Sequence, residues 1–294
     1  MRKKMEQIFD SDLIYDYKKD KLVIVASIIL VLIILSAIFA PQLAPHNPYD
    51  LSTVTLMDSL KPPAWTAEGV DKFLLGSDLQ GRGVLSTIFY GTRISLLVGL
   101  SAVLLGGIIG ITLGIISGFL GGKVDSIIMR MADIQLSFPT TLIAITVMAF
   151  WGRGIVKLIV VIGLATWVTY ARTARGSTMS VKKSEFIEAA RLMGVSKFKI
   201  MLRHVLPNIL TPVIVIATVQ IAQVIMLEAT LSFLGLGVSL SRPSLGVMIA
   251  DGYERLFSGN WWLVIFPGAM LVLLVLSINI LGDWLRDTLN PKLK

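Results

Sequence analysis

Residues 22–40 form a run of 19 residues without a single charge. Comparable apolar runs recur at residues 94–120, 155–170, 209–227 and 261–281. A run of this length spans the hydrocarbon of a bilayer as a helix. In lipid the backbone must satisfy its own hydrogen bonds, which leaves helices as the form for such runs. The expectation is therefore an all-α membrane protein. Composition agrees: 54% of the residues are hydrophobic and only 16% are charged, where a soluble domain carries about a quarter. A sixth span is read at residues 134–151, although Gln135, Ser137 and Pro139 interrupt it. In the fourth span, Lys157 lies near enough to an end to snorkel.

The first run could also be a secretory leader. Such a leader has an apolar core of about 7–15 residues followed by a small-residue cleavage site. This run is longer and ends Ile38-Phe39-Ala40-Pro41, which favours an uncleaved first span. The organisation expected is a cytoplasmic N-terminus (1–21), a first transmembrane helix (22–40) and an extracytoplasmic loop rich in proline (41–93). A membrane core (94–283) and a cytoplasmic tail (284–294) complete it.

Charge sets the orientation. The first 21 residues hold six basic residues. The connection at 171–208 holds Arg172, Arg175, Lys182, Lys183, Arg191, Lys197, Lys199 and Arg203, against Glu185 and Glu188. The positive-inside rule puts both segments in the cytoplasm, and six spans give the same parity. The net charge of +8 then reflects basic loops, not an affinity for nucleic acid.

Catalytic patterns are lacking. The nearest approach to a phosphate-binding loop is Ser117-Gly118-Phe119-Leu120-Gly121-Gly122-Lys123-Val124. Ser117 replaces the first glycine and Val124 the hydroxyl residue that would hold magnesium. The two histidines, His46 and His204, fall on opposite sides of the membrane in this topology, and there is no cysteine. Shared metal sites, disulfides and a thiol nucleophile are excluded.

Two segments carry information. In the second span Ala102, Gly106, Gly110, Gly114 and Gly118 recur every four residues. Small residues at that spacing form one strip along a helix and admit another backbone. Residues 184–208 read as two short helices. The first is capped by Ser184 with Glu185 in its first turn. Its apolar face is Phe186, Ala189, Ala190 and Met193, and Gly194 takes the left-handed C-terminal position. Ser196 caps the second, with face Phe198, Met201, Leu202 and Val205, and Pro207 marks the entry to the fifth span. An ordered basic helix pair tethered at both ends to the bilayer suits protein docking. Glu228 has two readings: an intramembrane functional carboxylate or a hydrogen-bonded strut at a helix end. Gln220 and Gln223 either line a passage or join helices.

Glu188-Ala189-Ala190, Gly194 four residues later and Leu206-Pro207 resemble the loop with a Glu-Ala-Ala core of bacterial ABC importer permeases. Arg203-His204-Val205-Leu206-Pro207-Asn208 is similar to the dipeptide, oligopeptide and nickel branch, second permease type. So are LLGSDLQGRGVLSTIFYGTRISLLVG (74–99), DSIIMRMADIQLSFP (125–139), LEATLSFLGLG from Leu227, PSLGVMIADG from Pro243 and the C-terminal stretch from Asn260. The resemblance covers about residues 22–292; Gly83 and Trp284 depart from the branch's usual Asp and Gly. It implies a six-span permease core of an ATP-driven importer in the inner membrane. The chain would form half of a passage for peptides or a related small solute and make no covalent bonds. Implied partners are a second homologous permease, two ATPase subunits that carry ATP and magnesium, and an extracytoplasmic binding protein. Ser184, Phe186, Glu188, Ala189, Ala190, Met193, Gly194, Phe198, Leu206 and Pro207 would form the ATPase-coupling loop. A secondary transporter would instead need buried ion-coupling residues and half-helices, and a membrane enzyme a catalytic constellation at an interface. The substrate is not legible.

Overall fold

A computed structural model describes residues 17–289 except residues 51, 53 and 240. The basic stretch at 1–16 and the end of the tail at 290–294 lie outside the described residues. Among the described residues the regular elements are helices, with one isolated antiparallel bridge between Ser77 and Gly83. Five helices among the described residues are long and apolar enough to cross a membrane, and a bent pair makes up to six. The chain divides into two compact units, Met1–Leu97 with Glu228–Lys294, and Val98–Leu227.

In the first unit, α1 (Lys21–Ile38) is capped by Asp20, whose carboxylate accepts from the Leu22 and Val23 amides at 2.9 and 3.3 Å. One stripe of α1, Val23, Ala26, Ile33 and Ala37, is buried, and α1 packs on α11 (Trp262–Leu289). Leu22, Val25, Ile28, Leu32 and Leu35 stay exposed, as suits a helix whose solvent is lipid. After a short α2 (Ala40–Leu43), the segment that leads to the next long helix is tied by polar contacts. The Gly83 amide donates to Nε2 of His46 at 3.0 Å, Arg82 pairs with Asp78 at 2.6 Å, and the Trp262 indole donates to the Ser77 carbonyl at 3.2 Å. Burial and the Lys72 charge push the His46 pKa down. α10 (Leu245–Tyr253) also packs on α11.

The long helix α3 runs Val84–Leu120. It starts ten residues before the expected position 94, because its first turns bury Ser86, Thr87, Thr92 and Ser95. The Thr87 and Thr92 hydroxyls donate to the Gly83 and Ile88 carbonyls, so residues that look loop-like are self-satisfied in a helix. The third span is also corrected. α4 (Gly122–Leu136) and α5 (Thr140–Trp151) meet at 83°. The break falls at Ser137-Phe138-Pro139: proline has no amide to continue the ladder and biases Phe138 away from helical backbone.

Helix α6 (Ile155–Val181) is eleven residues longer at its C-terminal end than the expected fourth span. Arg172 and Arg175 therefore belong to a helix and not to the loop. α7 (Glu185–Leu192) and α8 (Lys197–Ile200) follow. α8 passes through a wide π-type turn, Met201–Val205, into α9 (Leu206–Phe233) without a break.

Candidate functional site

The glycine strip of α3 faces α6 so closely that side chains have no room. A Cβ on Gly110 would lie 2.3 Å from the Trp167 carbonyl oxygen and 2.6 Å from the Tyr170 Cβ. On Gly114 it would lie 2.4 Å from the Ala171 carbonyl oxygen, and on Gly118 2.8 Å from that of Arg175. At Gly106 the first obstacle is the Thr166 hydroxyl at 2.7 Å, and Ala102 is fully buried. From the other side, Gly163 of α6 receives the Leu105 side chain, which a Cβ would meet at 2.8 Å. Glycine recurs because the two backbones touch, and each extra methyl would force them apart.

This seam continues into the helix pair below it. Ile187, Ala190, Ile200 and Val205 are buried together with Ile115 and Phe119 of α3, Ala174 of α6, and Ile209 and Val213 of α9. Gly194 has φ +74°. Its amide donates to the Arg191 carbonyl at 3.0 Å, while the Val195 amide donates to that of Ala190 at 3.1 Å. That pair of bonds closes a Schellman motif. Ser196 caps α8 through the Lys199 amide at 3.4 Å. Ser184 holds the N-cap position of α7, but its side chain makes no capping bond.

The face packed within the chain is not the apolar face read from the sequence. Of Phe186, Ala189, Ala190 and Met193, only Ala190 is buried; of Phe198, Met201, Leu202 and Val205, only Val205 is. Ile187 and Ile200 do the anchoring. Phe186 is 45% exposed, Phe198 68%, Met193 75% and Leu192 89%. Glu188, Ala189 and Pro207 are exposed and Leu206 is half-buried. The loop thus has one side fixed to the seam and an opposite side of large apolar residues left bare.

Pro207 explains the wide turn before it. Its ring cannot hydrogen-bond the Arg203 carbonyl and would clash with it. The helix widens: the Leu206 amide donates five residues back, to Met201, and the Asn208 side-chain amide donates to the His204 carbonyl at 2.6 Å. The expected transition at Pro207 is a change of helical pitch and not an end.

Sequence reasoning missed the polar ties between α4 and α6. Arg175 makes two 2.6 Å bonds to the Asp125 carboxylate, which also accepts from Ser117. Arg172 pairs with Asp133 at 2.5 Å. The Trp167 indole donates to Gln135 at 2.7 Å, and the Gln135 amide donates to the Ala165 carbonyl at 2.8 Å. The available signal was Asp125 and Asp133, eight residues apart and so on one helical face.

Glu228 is fully buried and accepts from Ser95 of α3 at 2.9 Å and Ser232 at 2.6 Å. Its oxygens hold hydroxyls within the first unit. Gln220 is buried and Gln223 is exposed. Among the described residues, no three His, Asp or Glu side chains are grouped to hold a metal.

Long apolar helices and a close-packed helix seam define a multi-pass membrane protein. The match to family models agrees with that class. The chain belongs to the family of binding-protein-dependent transport system inner membrane components, whose model matches residues 110–294. Residues 11–63 match the N-terminal transmembrane domain of oligopeptide transport permease C. The chain is 39% identical to the di/tripeptide transport system permease protein DppC of Pseudomonas aeruginosa, over 90% of this chain and 86% of the relative. It is 41% identical to the oligopeptide transport system permease protein OppC of Escherichia coli, over 94% and 89%. Among solved structures, an inward-facing MetNI methionine ABC transporter aligns with TM-score 0.57 at 20% identity, covering 69% of this chain and 96% of that one. This likeness shows the fold, that of a type I ABC importer permease. The chain is the non-catalytic permease subunit of an ATP-driven importer that works with a substrate-binding protein and separate ATPase subunits.

Proposed function

We propose that the chain forms half of a passage for peptides or a related small solute, paired with a second, similar permease. Two ATPase subunits, which hold the ATP and magnesium, dock on α7 and α8 and drive alternating access; this chain binds no cofactor. One observation carries the reading: Phe186, Leu192, Met193 and Phe198 are exposed on a loop whose opposite side is anchored to the α3–α6 seam. Bare apolar side chains on an ordered element mark an interaction site. The peptide assignment rests on the relatives' names and the match to the oligopeptide permease domain.

In this reading both termini and α7–α8 lie in the cytoplasm, and the outer segment at 41–83 meets the binding protein. Gln223, exposed on α9, faces the pathway, while Glu228 is a strut between α3 and α9. Reporter fusions after Lys61, Lys183 and Lys294 test the orientation; a cytoplasmic signal at Lys61 overturns it. Purification with native partners tests the assembly: two ATPases and a second permease are expected, and a chain that transports alone refutes it. A ligand screen on the cognate binding protein identifies the solute.

A further inference from the structure

A concave site lies where the ends of two spans meet the loop. Phe119 and Leu120 close α3, Lys182 follows α6 directly, and Arg191, Val195, Lys197 and Ile200 of the loop complete the lining around a cavity of about 460 Å³. Three cations thus face one hollow with no acidic residue in its wall. The nearby carboxylate, Asp125, is engaged by Arg175 and Ser117. Glu185 and Glu188 sit on α7 but do not line the hollow. The cations are also preset. Nζ of Lys182 lies 5.7 Å and the Arg191 guanidinium 5.2 Å from the centre of the buried Phe119 ring. Stacking on one ring holds both charges in place without neutralising them.

We propose that this hollow binds the phosphate of an anionic phospholipid. Three unneutralised cations around one cavity call for an anion, and their depth selects among anions. Leu120 ends α3 and Lys182 directly follows α6, two helices long and apolar enough to cross a membrane, so the hollow sits where two candidate spans end, the place where a lipid phosphate is within reach. Leu120 is 44% exposed beside it and offers a surface for the start of an acyl chain. An acidic protein segment would instead be expected to meet the apolar side of the loop, where Phe186, Met193 and Phe198 stand. A bound lipid phosphate would join α3, α6 and α7–α8 at the point where the seam becomes the loop.

The test uses the whole transporter in nanodiscs that are symmetric in lipid, so it does not depend on the orientation or coupling proposed above. Phosphatidylglycerol retained through delipidation is counted by native mass spectrometry against phosphatidylcholine. Each basic residue near an anionic surface contributes roughly a fivefold preference. The triple change Lys182→Gln, Arg191→Gln and Lys197→Gln is expected to lower selective retention by about a hundredfold. Lys123→Gln, exposed and outside the lining, should leave it unchanged. A charge-conserving set, Lys182→Arg, Arg191→Lys and Lys197→Arg, should retain the lipid, separating loss of charge from loss of fold. Equal displacement of the lipid by millimolar inorganic phosphate would overturn the lipid assignment in favour of a soluble anion. Unchanged retention in the triple variant also overturns it, and loss of ATPase subunits in that case identifies an acidic protein segment as the occupant.

Discussion

The α3–α6 seam and the α7–α8 loop are joined in chain and in space, yet they use apolar residues in opposite ways. The seam consists of glycine and alanine with backbone against backbone, and Gly110 and Gly114 have no space for one more carbon. The loop carries phenylalanine, leucine and methionine, and several stand more than two-thirds exposed. Small residues in lipid allow close approach, which is the source of helix association where hydrophobic burial gives little. Large apolar residues in water do the reverse and remain unfavourable until a partner covers them. One region is finished within the chain; the other leaves its large side chains bare.

Substitutions that add volume should separate the two regions most sharply. Gly110→Leu would drive a side chain into the Trp167 carbonyl, at a cost of about 3 kcal/mol or more by the measure of core overpacking. The expected outcome is little folded protein in detergent, read by size-exclusion chromatography and thermal inactivation. Leu104→Ala, at a position 64% exposed, should change neither; equal damage at both positions would remove the seam as an interface.

Gly194→Val comes next. Nothing lies within 4 Å of a Cβ there, so the cost is one of backbone alone: φ is +74°, and a β-branched residue pays about 1–2 kcal/mol in the left-handed region. Folded yield should stay close to normal while substrate-stimulated ATP hydrolysis and uptake fall. Gly194→Asn should recover part of both, since asparagine tolerates that conformation. Uptake that survives Gly194→Val intact would show that loop geometry does not matter for coupling.

Phe198→Ala and Met193→Ala should leave the chain's own stability within about 0.5 kcal/mol, as exposed positions do. Their effect is expected on the partner: ATPase association weakened about tenfold or more, as for an interface anchor, measured by titrating ATPase subunits onto the reconstituted permeases. Ile187→Ala, buried on the seam side, should instead lower folded yield. If the three behaved alike, the two sides of the loop would not differ.

The smallest effect concerns pH in the segment between α2 and α3. Nε2 of His46 accepts the Gly83 amide proton, which only neutral imidazole can do, and burial together with Lys72 lowers its pKa below 6.5. The unfolded segment therefore takes up a proton first. This contribution is intact above pH 6.5 and is lost as pH falls through the lowered folded value. Protection of the Gly83 amide from hydrogen exchange, corrected for intrinsic rate, should drop modestly between pH 7.5 and 5.5. His46→Gln should flatten that dependence.

Helices and their order were legible because a membrane leaves the chain few options, and five of the expected spans correspond to long helices. Helix ends were not. Arg172 and Arg175 read as loop charges, yet α6 extends to Val181, burying Ala171, Ala174 and Thr178, and the two arginines pair with Asp133 and Asp125 of α4. A partner distant in sequence is invisible to a local count of charge. Which face of α7 packs inside the chain was not legible for a related reason. Phe186 and Ile187 are adjacent and both apolar, so periodicity cannot choose between them; the pocket formed by Ile115, Phe119 and Ala174 takes Ile187. The bend at Pro139 was visible as an interruption, but its 83° angle follows from packing.

The wide turn at Met201–Val205 has a further consequence, for register. An α-helix advances about 100° per residue, and a π-type turn accommodates one residue more than the α-helical ladder would. α8 is therefore rotated by about that angle relative to α9, compared with an unbroken α-helix. This offset sets Ile200 inward and Phe198 outward while Ile209 and Val213 keep their own inward direction. Pro207 acts as a phase marker: it forces the extra residue and so chooses which side chains of α8 stay exposed. A chain with one residue deleted from this turn and Pro207 replaced by alanine would turn a different side of α8 inward.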